Sequence, residues 1–223
     1  MRPVKLSDEA KRIGNELVEL GFTDNITLGK AAALELQLRL QDICNGFEPI
    51  KNANTGEIAH KPFKENPKLD ELMELLDEIG IETEQVAIWS SRKLLITACS
   101  EAFEKAGISY TLYDGNATNA EKEEAERKAK NKEVQVFLGN QASGAYGLNC
   151  LKNFNYMVIL CIDGSVEKHY QVLHRILRGQ LTAPKFVYGI HAEGSLEERQ
   201  WESLRVGQEL IGADNAKEVF QFL

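Results

Sequence analysis

Several absences bound what this sequence can do. It has no excess of positive charge: 26 Lys and Arg stand against 34 Asp and Glu, a net charge of −8. The chain is therefore no polycation, and any grip on nucleic acid must come from a local basic surface or a partner domain. It has no Gly-x-x-x-x-Gly-Lys-Ser/Thr loop, the arrangement whose backbone N–H groups cradle nucleotide phosphates. The run LGKAAA at 28–33 lacks the first glycine and the hydroxyl. Cys44, Cys99, Cys150 and Cys161 make no CxxC pair and no Cys/His cluster at zinc spacing. They are expected to be buried, reduced thiols, and no metal site is expected. No apolar run approaches the ~20 residues of a membrane span. The opening MRPVKLSDEAKRIGNEL lacks the apolar core of a signal peptide. A cytoplasmic location and no membrane partner are expected.

What is present is enough for a core: 223 residues, 43% of them hydrophobic, suit one domain with an appendage or two small domains. Residues 7–45 read as helices, opened by Ser7 with Asp8 and Glu9 in the first turn. Leucines at 34, 36, 38 and 40 alternate as in a strand, yet Ala33 and Ile43 extend a helical stripe and Gly46 is a natural stop, so helix is preferred. PIKNANTGEIAHKPF carries an NTG turn between short apolar runs and predicts an exposed hairpin. A boundary near Pro67 divides a helical segment with its hairpin, 1–65, from a core domain, 66–223. From there helices and strands alternate. Strands are expected at VAIWS (86–90), SYTLYDG (109–115, a strand and a turn), VQVFLG (134–139), YMVILCI (156–162) and FVYGIHA (186–192). Amphipathic or charged helices lie between them, the last being SLEERQWESLRVGQELIG. Apolar strands separated by helices predict an α/β fold: a parallel sheet covered on both faces. Sites in such folds gather at the carboxyl ends of the strands.

The helix over 166–177 carries HYQVLHRILRGQ, residues 169–180. With Gln171 at 0°, His174 falls near about −60°, Arg175 near about +40° and Arg178 near about −20°. Val172, Leu173, Ile176 and Leu177 fall opposite. The expectation is one buried side and a polar, carboxylate-free side of Gln, His, Arg and Arg that seeks an anion, since arginine forks match phosphate oxygens. Before it come LGNQASGAYGLN (138–149), a strand with a glycine-bearing loop that could approach phosphates, and the strand YMVILCIDG.

A glycine loop, a strand and an Arg-x-x-Arg helix, in that order, resemble the second RecA-like domain of superfamily-two helicases, above all the Swi–Snf-type DNA translocases. HRILR (174–178) is similar to motif VI, with Arg175 and Arg178 at the two arginine-finger positions and Gln171 and Gly179–Gln180 matching the glutamine-rich Swi–Snf form. GLN (147–149) resembles motif V and VAIWSSR (86–92) motif IV. YTLYDGNAT, RLQDICNG and GSLEERQWESL resemble stretches between, before and after them. The chain departs from the pattern in four places. GSVEKHY (164–170) replaces a tryptophan-bearing segment, and Gln141 stands where Ser or Thr is usual. Leu177 replaces a frequent Gly, and motif VI is one residue short before its final Gln. These departures suggest a divergent branch, bacterial or viral.

The resemblance implies a motor lobe whose ATP and Mg²⁺ are held mainly by an amino-terminal lobe carrying the missing phosphate loop. Arg175 and Arg178 would act on the γ-phosphate, while Gly147, Asn149 and Gln171 would touch the nucleotide. Ser90, Ser91, Arg92, Asn116, Asn140 and Gln141 would hold a nucleic-acid backbone, most simply double-stranded DNA. A longer protein would hydrolyse ATP and this chain alone would not. Two other classes are weighed. A nucleotide-sugar transferase also has a doubly wound C-terminal domain, but the Arg-x-x-Arg helix fits it poorly. A non-catalytic binding module could keep a degenerate helicase fold and dock a partner through residues 1–65.

Overall fold

Strands that are apolar on both faces need cover on both faces, and the elements that supply it alternate with them along the chain. The computed structural model describes residues 1–21, 30–52, 54–140, 148, 150–162, 165–176 and 183–205. The order is β1 (Arg2–Val4), α1 (Asp8–Gly21), α2 (Lys30–Cys44), β2 (Phe47–Lys51), β3 (Ile58–Pro62), α3 (Pro67–Ile79), β4 (Val86–Ser90), α4 (Lys93–Ala106), β5 (Tyr110–Tyr113), α5 (Asn119–Lys130), β6 (Val136–Asn140), a 3₁₀ turn (Cys150–Asn153), β7 (Tyr156–Cys161), α6 (Val166–Ile176), β8 (Phe186–Ala192) and α7 (Leu196–Arg205). Each expected element is present. The last helix is described to Arg205, and its expected continuation lies outside the described residues. Two elements escaped the sequence reading, β1 and the 3₁₀ turn, because three or four residues carry no periodicity.

Six strands form one sheet in the order β1-β8-β7-β4-β6-β5, and β2 with β3 form a separate antiparallel hairpin. The pairs β5–β6, β6–β4, β4–β7 and β7–β8 are parallel. The residues gather into two compact units, Met1–Arg2 with Glu71–Ile190, and Pro3–Asp70 with His191–Leu223.

In the first unit every residue of β4 and β6 is buried. Gly139 sits opposite Trp89 in the ladder, and a Cβ there would lie 2.5 Å from the indole ring. The glycine is the space the tryptophan occupies. Leu95, Ile96, Cys99 and Phe103 make the buried stripe of α4, which ends where Gly107 takes φ +71° and Ile108 N–H donates to Phe103 O at 2.9 Å. Thr118 and Glu121 close α5 with a reciprocal capping box. Only Ala125 and Ala129 of α5 are buried, and Arg127 is held by Glu124 and Glu133, so this helix is the solvated, ion-paired one its charges predicted.

In the second unit the alternating leucines resolve as a helix with two apolar sides. Leu36 and Leu40 join Ala33, Ile43, Leu6 and Leu17 in the core, while Leu34 and Leu38 are exposed. The hairpin turn is held by Asn52, whose Oδ1 accepts from Asn54 N–H at 2.8 Å and Thr55 N–H at 3.2 Å. Beneath lies a buried ion pair. Lys68 and Glu197, with side chains 1% and 2% exposed, meet at 2.6 Å through both carboxylate oxygens. The Lys68 ammonium also donates to Asn45 Oδ1 at 2.9 Å, and Glu197 accepts from Ala192 N–H at 3.1 Å. All four cysteines are buried thiols, as their scatter predicted. Among the described residues no helix is long and apolar enough to cross a membrane.

Two expected outcomes follow from this buried polar centre. Lys68→Met alone should cost about 3–5 kcal/mol, because it leaves the Glu197 carboxylate buried without its partner, whereas Lys68→Met with Glu197→Leu should recover most of that loss. Urea unfolding of both variants measures it; a double variant as unstable as the single one would show that the pair stabilises in its own right. His191, which lies 4.0 Å from Glu198, is held below the ordinary histidine value chiefly by burial, against the nearby carboxylates of Glu197 and Glu198. The unfolded chain takes up this proton near about pH 6.5. Stability is therefore whole above that pH and declines as pH falls through it. Between pH 7.5 and 5.5 the wild type should lose more stability than His191→Gln; equal losses would assign the acid sensitivity to other groups.

Candidate functional site

In a parallel ladder the carboxyl ends of neighbouring strands face the same way, so the loops that follow them share one edge. Here the register brings three ends into line. Ser90 is paired with Asn140 of β6 on one side and Cys161 of β7 on the other. The second pairing depends on an irregularity between Trp89 and Ser90, which moves the partner from Ile159 to Cys161 and skips Leu160. Beyond this row the chain turns at once into α4. The Ser90 hydroxyl accepts from Arg92 N–H at 3.0 Å and donates to Arg92 O at 3.2 Å. Ser91 N–H donates to Cys161 O at 3.0 Å, its hydroxyl to Cys161 Sγ at 3.3 Å, and Asn140 Nδ2 to Ser91 O at 3.5 Å.

The expected nucleic-acid residues thus separate by burial. Ser90 and Asn140 are buried and bonded to the turn, so they shape the edge: the final residue of a central strand is enclosed by its two neighbours. Ser91 and Arg92 are partly exposed, and Asn116 is exposed in the turn after β5. Gln141 lies outside the described residues. Arg92 is the N-cap of α4, extended at φ −103° and ψ 119°, and its own side chain makes no capping hydrogen bond to that helix. Two basic residues, Arg92 and Lys93, therefore stand at the positive end of a helix dipole, an arrangement suited to an anion. The Lys93 ammonium lies 3.4 Å from Asp114, which ends the β5 run. Sequence reasoning passed over Asp114 and Cys161, the former as part of a turn and the latter as one more buried thiol. Only the alignment of strand ends reveals their place.

The other half of the expected site lies on α6. Gln171 is partly exposed, and its amide donates to Glu167 Oε1 at 3.0 Å, one turn earlier on the same face. The polar face therefore carries a carboxylate, contrary to the expectation that it has none; a count begun at Gln171 missed the residue at i−4. His174 is exposed as expected, but Arg175 is only 5% exposed. The helical wheel allowed for burial on one side alone, whereas the 3₁₀ turn at Cys150–Asn153 packs against α6 as well. Burial and the charges of Glu126 and Cys150 push the Tyr113 phenol up, and Arg175 opposes that shift, so the guanidinium belongs to the Tyr113 neighbourhood. The Cys150 thiol is itself pushed up to about 12 by burial and is not a nucleophile. Arg178, Gly147 and Asn149 lie outside the described residues. Among the described residues no three His, Cys, Asp or Glu side chains group as metal ligands.

A family model described as the helicase conserved C-terminal domain matches residues 67–180. Over 154 residues the chain is 25% identical to the human DNA repair and recombination protein RAD54B, a match covering 67% of this chain and 17% of that protein. It spans less than a fifth of the length of the curated relatives it matches. The Sulfolobus solfataricus SWI2/SNF2 ATPase core domain is similar in structure, with TM-score 0.74 and 17% identity, over 99% of this chain and 48% of that one. The same organism's SWI2/SNF2 ATPase core in complex with dsDNA gives TM-score 0.70 and 19% identity, over 97% and 45%. The sheet of β1 and β4–β8, flanked by helices, is thus the RecA-like helicase C-terminal fold, and the matched span runs from the start of α3 through the strand-end row to the arginine helix. By a match over more than half of its length, this chain belongs to the helicase conserved C-terminal domain family.

Proposed function

We propose that the chain is the C-terminal motor lobe of an ATP-dependent nucleic-acid translocase, with residues 1–65 a preceding segment and 66–223 the lobe proper. The observation that carries this reading is the cationic start of α4 at a row of aligned strand ends, in a chain whose family match extends through the Arg-x-x-Arg sequence of 175–178. ATP with Mg²⁺ would be held mainly by an amino-terminal lobe, and hydrolysis there would drive closure and opening of the two lobes. The likeness to a SWI2/SNF2 core in complex with dsDNA supports double-stranded DNA as the track. Ser91 and Arg92, on a loop shaped by Ser90 and Asn140, would meet its phosphates together with Asn116 and Gln141. Such contacts are sequence-tolerant and salt-dependent. Because the chain carries net charge −8, binding must be local to this edge.

Arg175 and Arg178 would stabilise the charge that develops on the γ-phosphate, with Gln171, Gly147 and Asn149 about the nucleotide. Their roles differ in this reading. Arg175 is buried beside Tyr113 and would act from within the packed base of α6, so its removal also disturbs folding. Arg178 is the cleaner probe.

In the complete protein, Arg178→Ala should lower DNA-stimulated ATP hydrolysis by about 10³-fold or more while leaving DNA binding in place. Normal hydrolysis in that variant, or helicase-like turnover by this chain alone, would end the proposal. Arg92→Ala should weaken DNA binding across sequences and reduce the magnitude of the log–log salt slope by about 1. An unchanged slope in a salt titration would remove Arg92 from the track.

A further inference from the structure

β8 is covered unevenly, and the way it is covered defines an edge. It has seven residues, whereas its outer neighbour β1 has three. Glu193 N–H, just past the end of β8, donates to Val4 O at 2.8 Å, so β1 lies along the later part of the strand. Burial follows: Gly189 to Ala192 are buried, while Phe186 and Val187 are 45% and 39% exposed. Successive residues of a strand point to opposite faces, so two consecutive exposed apolar residues mean that neither face is closed here. The exposed end is nonetheless built. Phe186 stacks on Tyr156 with ring centroids 5.4 Å apart at 15°. Lys185 donates to Phe154 O at 2.7 Å and Lys152 O at 3.0 Å. Arg2, paired with Glu71 at 3.2 Å and with Glu78, lies over Tyr188 at 5.9 Å.

The backbone direction is also fixed. Phe186 N–H donates inward to Asn155 O at 2.8 Å. By the two-residue period, Val187 presents its N–H and C=O to the other side, where the described residues supply no strand beyond β1. A bare edge flanked by apolar side chains is a template for another strand.

We propose that the β8 edge at Phe186–Tyr188 is a strand-addition site, taken by an extended segment of the polypeptide that carries the first lobe and lying in line with β1. This rests on the reading of the chain as one lobe of a two-lobed motor. Two observations favour that occupant over a foreign peptide. The site continues an existing strand interaction, that of β1 with β8, and polypeptide leading into β1 reaches it at about 3.3 Å per residue. The Sulfolobus ATPase cores are about twice the length matched here, which leaves ample chain to supply a strand. A strand there would cover Phe186 and Val187 and tie the two lobes together on the side of the sheet away from the strand-end row.

Amide hydrogen exchange on the protein carrying both lobes, against this chain alone, tests the proposal. The Val187 amide should exchange at least about tenfold more slowly in the two-lobed protein, while Tyr188, whose N–H faces β7, should change little. Val187→Pro removes the outward donor and leaves the β7 ladder intact. It should leave the melting temperature of this chain unchanged and make the polypeptide joining the lobes more sensitive to protease. Equal Val187 exchange in both proteins would overturn the proposal. So would protection that appears in this chain alone as its concentration rises, which would assign the edge to a second copy. ATP hydrolysis is read separately: Val187 protection without hydrolysis would sink the motor reading and keep the strand, and the converse would do the opposite.

Discussion

Hydrogen-bond register across β4 is the constraint on which the rest depends. A parallel ladder allows no drift between its strands, and β4, β6 and β7 are buried along nearly their whole length. A slip of one residue would send every side chain to the opposite face. Register is therefore fixed by burial, and the ends of the strands are fixed with it. Ser90, Asn140 and Cys161 meet because of this, helped by one irregularity after Trp89. The turn that follows is tied down: Ser90 and Asn140 bond its backbone, the Ser91 hydroxyl donates to Cys161 Sγ, and Arg92 and Lys93 emerge at the head of α4. The same register sets Gly139 under Trp89, so the bulk of one strand is accommodated by the absence of a side chain on the next.

The second unit is organised by a different kind of constraint. An ammonium and a carboxylate shut away from water stabilise little beyond what a well-packed apolar pair would, but they tolerate few alternatives. Lys68 is reached by Asn45 and Glu197 together, and Glu197 also receives Ala192 N–H. The start of α3, the end of α2 and the start of α7 are thereby specified by partners that only one arrangement satisfies. The chain makes this connection between residues 129 positions apart, which is why the last helix belongs with the first ones and not with the strands that precede it.

Much of the fold was legible. Apolar runs bounded by glycine and polar residues gave every strand long enough to have a pattern, and the charged helix after Thr118 is solvated and ion-paired, as its composition suggests. The helix of alternating leucines was recoverable because Ala33 and Ile43 broke the two-residue period. The candidate site was legible in outline. The residues singled out after β4 lie at a row of strand ends, as parallel order implies, yet their exposure was not foreseen. Arg175 is a polar residue on a helical pattern that says surface, and it is buried. Glu167, hidden by where the helical count began, turned an assumed acid-free face into a hydrogen-bonded one.

The sequence by itself determined which segments are helix or strand, that the sheet is parallel and covered, and that a helix carrying Arg175 follows a buried strand. Those are properties of local periodicity and of chain order, and neighbouring residues suffice to set them. Tertiary structure alone decided which polar side chains are enclosed, which shape the loop, and which edge of the sheet is left uncovered among the described residues. These depend on what packs from the far side: a 3₁₀ turn against α6, two strands enclosing Ser90, three residues of β1 against seven of β8. No window of sequence contains both partners of such a contact, so only the folded chain can say which face of each residue is left to act.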